Sequence, residues 1–324
     1  MVLARPCRLT TILLCLISAV VALTGCGAPA GDAPPPAAAD NCGRAVHLDA
    51  PPERAVGYFQ HPVELMLALG LQDSIVATVY PDNPPLPRYA EAYQAIPQLS
   101  DKDASFEQIL STAPDFVYGG YGSAFDDTAG RSRQAFDDAG IATYLNPEYC
   151  ATGPITMDHV YTEITTIADL FGVPQRADGL IREMRAAVEA GHAAVDGVEP
   201  ARVFVYDSGE DTAFTAGRQG IGDQIIRLAG GTNVFSDVED TFADVSWEQV
   251  VQRDPEVIVI YDYFGTPSIE DKKAFLRSRP ELADVAAIRD DRFAVLTLQD
   301  AVLGVRAPYA VETLARQLHP DRFA

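Results

Sequence analysis

The stretch SFEQILSTAPDFVYGGYG, Ser105–Gly122, is echoed later by SWEQVVQRDPEVIVIYDY, Ser246–Tyr263. Aligned without a gap, the two share Ser, Glu, Gln and Pro at matching places, and most other positions exchange one apolar residue for another. In each copy a serine precedes a glutamine by three residues, Ser105 with Gln108 and Ser246 with Gln249. That spacing predicts a capping box: the hydroxyl accepts from an orphan N–H of the first turn, and the glutamine reaches back to the cap. Each copy therefore predicts a short helix running into an apolar strand. The serine and glutamine are explained locally. Glu107 and Glu248, which lie between them, are favoured in a first turn by the helix dipole, yet they also recur at equivalent places in two halves of the chain.

Working outward, short strand patterns alternate with helical ones from Arg44 onward, which predicts an α/β fold. Strands are expected at 54–58, 74–80, 115–119 and 141–145, with helices at 62–69, 105–112 and across RSRQAFDDAG. A second set of strands is expected at 202–207, 256–261 and 292–298, with helices from Ile221, Ser246, Ile269 and Pro308. Between the sets lie two helical stretches, 157–171 and 175–194; the second is long enough, at about 30 Å, to bridge two lobes. The expected architecture is two similar α/β lobes joined by one long helix, with a ligand cleft between them. The divisions are a leader at 1–25, a linker at 26–43, an N-terminal lobe at 44–155, bridging helices at 156–197 and a C-terminal lobe at 198–324.

The first residues set the compartment. MVLARPCR supplies Arg5 and Arg8, Leu9–Leu23 is uncharged and mostly apolar, and Leu23-Thr24-Gly25-Cys26 follows. The apolar run suits a signal peptide and is short for a membrane span. LTGC resembles a bacterial lipobox, whose cysteine carries lipid, so Cys26 is expected to anchor the protein to the cell membrane, facing outside the cytoplasm. An Ala/Pro/Gly-rich linker follows. Cys7 and Cys15 leave with the leader, so Cys42 and Cys150 remain as an even pair in an oxidising compartment, and a disulfide between them is expected. A net charge of −22 speaks against nucleic acid as a partner and suits an exported, soluble body. Histidines 47, 61, 159, 192 and 319 show no paired spacing, so a bare-metal cluster is not expected. No GxSxG, HExxH, P-loop or GxGxxG appears, and no acid/base pair stands out; an enzyme is not expected.

The phrases PPERAVGYFQHPVELMLALGLQDSIVATVY, SFEQILSTAPDFVYGG, LAGGTNVFSD, VSWEQVVQRDPEVIVIY and GVRAPYAVETLA, in that order, resemble the substrate-binding proteins of ABC importers for ferric siderophores, haem and cobalamin. The resemblance samples nearly all of residues 50–318. It implies two α/β lobes, a stiff bridging helix, and an iron(III)-siderophore-type chelate as cargo, with no cofactor of the protein's own; haem or cobalamin is the alternative cargo. It also implies that Glu107 and Glu248 dock onto arginine pockets of a permease dimer. A monomer is expected. A ligand sensor of the envelope working without an importer is a further possibility left open by the residues.

Ligands of open α/β sheets bind outside the carboxyl ends of strands. The residues following each strand give Tyr58, Gln60 and His61, then Tyr118 and Tyr121; the second lobe gives Tyr261, Tyr263 and the run Gln299–Arg306. This surplus of tyrosine suits a bulky, partly apolar ligand. Arg218 and Arg306 are expected to offer guanidinium donors to ligand oxygens, with a surface salt bridge as the alternative, above all for Arg218. Trp247 is expected as cleft wall or core. His61 is expected to hydrogen-bond an organic ligand, pack structurally, or act as an axial ligand to a cargo metal. YFQHPVE departs from the small and hydroxyl residues usual at that place in the family, which leaves room for an atypical ligand.

Overall fold

The architecture follows from two parallel sheets whose central strands are too apolar to lie anywhere but between helical layers. The computed structural model describes residues 37–323; the leader, Cys26 and the first part of the linker lie outside the described residues. In the first lobe the order is β1 (Ala37–Asn41), β2 (Arg44–Leu48), β3 (Ala55–Tyr58), α1 (Gln60–Ala68), β4 (Ile75–Val79), α2 (Ala90–Ala95), β5 (Gln98–Ser100), α3 (Phe106–Leu110), β6 (Phe116–Gly119), α4 (Arg133–Asp138) and β7 (Ala142–Leu145). Strands β3 and β6 are buried at every position. The sheet is parallel with order β5-β4-β3-β6-β7.

Two helices follow, α5 (Met157–Leu170) and α6 (Pro174–Ala194). The second lobe comprises β8 (Ala201–Tyr206), β9 (Ala213–Ala216), α7 (Ile221–Leu228), β10 (Gly231–Asn233), β11 (Phe242–Val245), α8 (Trp247–Arg253), β12 (Val257–Asp262), α9 (Ile269–Ser278), α10 (Ala286–Arg289), β13 (Phe293–Thr297) and α11 (Ala307–Leu318). Its main sheet is parallel with order β10-β8-β12-β13, and β11 and β9 form a separate antiparallel pair.

The internal repeat holds residue by residue. Ser105 Oγ accepts from Gln108 N at 3.2 Å while Gln108 Oε1 accepts from Ser105 N at 2.8 Å; Ser246 and Gln249 do the same at 3.3 and 3.1 Å. Ala113 and Asp254 both take left-handed backbone, φ 48° and 41°, just before a proline. The next acid anchors the neighbouring strand: Asp115 accepts from Arg54 N at 3.0 Å and Glu256 from Arg202 N at 2.8 Å. Arg54 and Arg202 in turn donate to the carbonyls of Ala113 and Asp254. One α/β unit has been used twice, down to its helix stop.

Helix α6, 21 residues and about 31 Å long, runs from one lobe to the other. Near its start Arg176 donates to Leu69 O and Gly70 O, both at 2.8 Å. Near its end His192 Nδ1 lies 3.0 Å from Leu228 O. It packs along α11 so closely that a Cβ on Gly191 would lie 2.9 Å from Glu312 N, and glycine is what this crossing needs.

Two expectations change. The linker ends earlier than residue 43, because Ala37–Asn41 pair with β2 as an antiparallel hairpin. Asn41 secures it, its side chain bonding both N and O of Leu145. The hairpin turn carries Cys42, which forms a disulfide with Cys150 at a Cα–Cα distance of 5.4 Å. Helix α1 begins at Gln60 rather than Pro62, so His61 is part of its first turn.

Candidate functional site

In each sheet the chain order reverses at one place, between β3 and β6 in the first lobe and between β8 and β12 in the second. Strands that diverge there leave a crevice at their carboxyl ends. In this protein the two crevices meet, and their residues form a polar seam between the lobes.

The first lobe's crevice is filled by His61. Its backbone approach is forced: Phe59, between β3 and α1, has φ 76° and ψ 168°, a conformation that side chains disfavour by roughly 1–3 kcal/mol. This turn aims Gln60 N at Asp82 Oδ1, 3.3 Å away, and lays the His61 ring on Gly120. A Cβ at 120 would sit 2.4 Å from His61 Cε1, so Gly120 in the opening phrase makes room for a histidine, while Gly119 makes room for Phe125 and Ala124. Across the seam His61 Nδ1 faces Gln299 Oε1 at 3.1 Å, and Gln299 Nε2 donates to Tyr121 Oη at 3.3 Å. His61 Nε2 is buried and has no hydrogen-bond partner. Burial lowers the imidazole's pKa to about 4, so it is neutral at pH 7.

Asp82 completes this cluster. Burial raises its carboxyl to about 6, against hydrogen bonds from Gln60 N, Tyr121 and Gln299 that favour the charge. Its backbone carbonyl accepts from Phe264 N at 2.9 Å, and Asn83 Nδ2 donates to Asp262 O at 3.2 Å. The Tyr263 loop is thereby fastened to the first lobe. Tyr263 Oη donates to Asp207 Oδ1 at 2.7 Å; burial raises both groups' pKa values.

Three further ties cross the seam. Glu64 and Arg306 form a two-pronged ion pair, Nε to Oε2 at 2.7 Å and Nη2 to Oε1 at 2.6 Å. Glu148 accepts from Ile221 N at 2.9 Å and from Leu303 N at 2.6 Å, and burial raises its carboxyl to about 7. Asn146 donates to Leu303 O at 2.8 Å. The loop that follows β13 is thus gripped along its length, and Ala301–Val305 are buried although irregular. Exposed aromatics flank the seam: Phe264, 58% exposed, and Tyr149, 37% exposed, whose ring packs 5.4 Å from that of Tyr121.

The expected site residues divide accordingly. His61, Tyr121, Tyr263 and, through Asp82, Gln60 come together at the seam. Tyr58 and Tyr118 do not: both rings lie in the core, their hydroxyls on Asp103 and Glu163. Tyr261 is buried beneath the Gln299–Arg306 loop, its hydroxyl against Gly222. Trp247 is core, donating to Glu210 O at 2.9 Å and packing on Tyr206 and Phe275. Arg306 reaches the seam, where it donates to Glu64 and to Pro84 O. Arg218 pairs with Glu239 at 2.9 Å, and its Nε is buried without a hydrogen-bond partner. Glu107 and Glu248 are exposed in the first turns of α3 and α8. Sequence reasoning passed over Asp82, Glu64, Glu148 and Gln299 as individuals. Only Gln299 had a visible signal, as the first residue after a strand. Among the described residues no group of three or more His, Cys, Asp or Glu is arranged to hold a metal ion, and no helix is long and apolar enough to cross a membrane.

Comparison with known proteins agrees with this geometry. The periplasmic binding protein family matches residues 56–299. An uncharacterized ABC transporter substrate-binding lipoprotein, YvrC of Bacillus subtilis, is 23% identical over 323 residues, covering 95% of this chain and 96% of that one. A vitamin B12-binding protein of Yersinia pestis is 25% identical over 245 residues, covering 74% and 80%. The crystal structure of an ABC-type Fe3+-hydroxamate transport system from Saccharomonospora viridis superposes with a TM-score of 0.76 at 27% identity, covering 89% of this chain and 99% of that one. The chain belongs to the family of periplasmic binding proteins, the substrate-binding proteins of ABC importers, and is a binding protein and not an enzyme.

Proposed function

We propose that this protein is a lipid-anchored receptor outside the cytoplasm that binds an iron(III)-siderophore-type chelate at the seam and delivers it to an ABC permease. The observation that carries this reading is the meeting of both switch-point crevices in a seam flanked by Phe264 and Tyr149, with Tyr121 and Tyr263 beside them. Rigid aromatic walls with a few polar groups suit a bulky, partly apolar ligand. Of the two arginines expected to meet ligand oxygens, Arg306 is held in a buried ion pair and Arg218 in an exposed one, and so small a supply of cationic groups favours a neutral or weakly charged hydroxamate chelate over a highly anionic one. The hydroxamate transport protein of Saccharomonospora viridis, at 27% identity, points the same way. Cys26 would carry the lipid. Glu107 and Glu248 sit exposed at equivalent capped turns, one per lobe, and would meet basic pockets on the permease.

The test is a fluorescence titration of the mature chain against ferric hydroxamates, ferric catecholates, ferric citrate, haem and cobalamin. Saturable quenching by a hydroxamate at micromolar concentration is expected. No quenching by any iron chelate would overturn the iron reading, and a Soret shift with haem that His61→Ala abolishes would replace it. Glu107→Ala with Glu248→Ala is expected to keep chelate affinity and abolish uptake by cells.

A further inference from the structure

The chain has three lysines, Lys102, Lys272 and Lys273, and Lys272 is 2% exposed. It leaves the first turn of α9 and sends its ammonium under the carboxyl edge of the second sheet. Nζ lies 2.6 Å from Asp207 O and 2.6 Å from Tyr261 O. These carbonyls stand at the ends of β8 and β12, the two strands that diverge at the switch point. Nζ also lies 5.1 Å from the centroid of the Tyr263 ring, within cation–π range. Tyr263 in turn holds Asp207 through its hydroxyl. One buried point charge therefore joins two strand ends and the aromatic side chain that the second lobe turns toward the seam.

Its hydrogen-bond partners are backbone carbonyls rather than a carboxylate; the Tyr263 ring and the nearby Asp207 and Asp262 carboxylates add attraction without bonding it directly, a costly arrangement for a mere packing role. A neutral side chain at 272 would remove the donor that both carbonyls share at the place where the sheet splays. The loops 207–210 and 262–266 would then lose their common anchor.

We propose that Lys272 is a positioning residue for the second lobe's half of the ligand site, fixing Tyr263 and Asp207 relative to one another. This rests on the receptor reading for its consequence in binding but not for its structural content. The experiment therefore has two arms. In the first, without ligand, amide hydrogen exchange is compared between the wild type and Lys272→Met. Faster exchange confined to 207–210 and 262–266 is expected; wild-type exchange in both loops overturns the proposal. Should Lys272→Met not fold, Lys272→Arg replaces it, because a planar fork does not reproduce a point charge shared by two carbonyls. The same loops are expected to loosen, and wild-type exchange again overturns it.

The second arm measures ferrioxamine B affinity for Lys272→Met, Tyr263→Phe and the double variant. Lys272→Met is expected to bind ~10-fold or more weakly, the scale of losing hydrogen bonds to a charged group. The double variant should bind no more weakly than Lys272→Met alone, because both residues act through one network. Additive losses in affinity overturn the positioning role. If the wild type does not bind ferrioxamine B, the hydroxamate reading fails and the exchange arm decides Lys272 by itself.

Discussion

Arg306→Met tests whether the Glu64–Arg306 pair ties the lobes or serves ligand. The side chains are 7% and 1% exposed, and the pair is two-pronged. Breaking such a pair from one side leaves a buried carboxylate and costs about 3–5 kcal/mol. Here Glu64 keeps Leu86 N at 2.8 Å and Gln60 Nε2 at 3.2 Å, which places the expectation at the lower end, about 3 kcal/mol. For a body of this size that is a fall in Tm of roughly 6–9 °C. Glu64→Gln combined with Arg306→Met removes both charges and retains an acceptor for Leu86 N. It should recover to within about 1.5 kcal/mol of the wild type, so the double-mutant cycle shows strong coupling. Urea unfolding at pH 7 with a common m-value measures all three. If Arg306→Met keeps wild-type stability while chelate affinity falls, Arg306 is a ligand contact and the tie is wrong.

Two other perturbations follow from the seam. Glu148 holds its proton more tightly folded than unfolded, so its contribution to stability is fully present below about pH 4.5 and is lost as pH rises toward 7, by up to about 3 kcal/mol. His61 acts in the opposite sense: its contribution is present above about pH 6.5 and lost as pH falls toward 4. Glu148→Gln should therefore gain stability from pH 4.5 to 7 relative to the wild type in thermal melts; parallel pH curves would contradict this. Removing the disulfide by Cys42→Ser with Cys150→Ser opens a span of 108 residues and should cost about 4–5 kcal/mol. A loss under 1 kcal/mol would mean that Asn41 and the hairpin hold this corner unaided.

Much of the fold was legible because it repeats. The capped turn and the buried strand are local devices, and each is visible twice in the residues; the left-handed stop at Ala113 and Asp254 shows only in the backbone. Short elements at sheet margins were not: β5, β9, β10 and β11 have three or four residues each, too few to show a period. The linker boundary was missed because Ala37–Asn41 gains strand form only from pairing with β2. At the site, strand ends named the right loops, yet the choice within a loop depends on which side of the strand end a side chain takes. Tyr58 and Tyr118 fall to the core, while His61 and Tyr121 fall to the seam. Asp82, Glu64 and Glu148 find their meaning in partners more than a hundred residues away, and no single-sequence pattern marks such a tie.

The most direct test of the account is amide hydrogen exchange of the mature chain with and without a saturating ferric hydroxamate. Protection is expected at 59–61, 80–83, 119–121, 262–264 and 299–304, the segments that meet at the seam. Protection elsewhere with none at these segments, or no change at all under saturating conditions, would contradict a ligand site between the lobes.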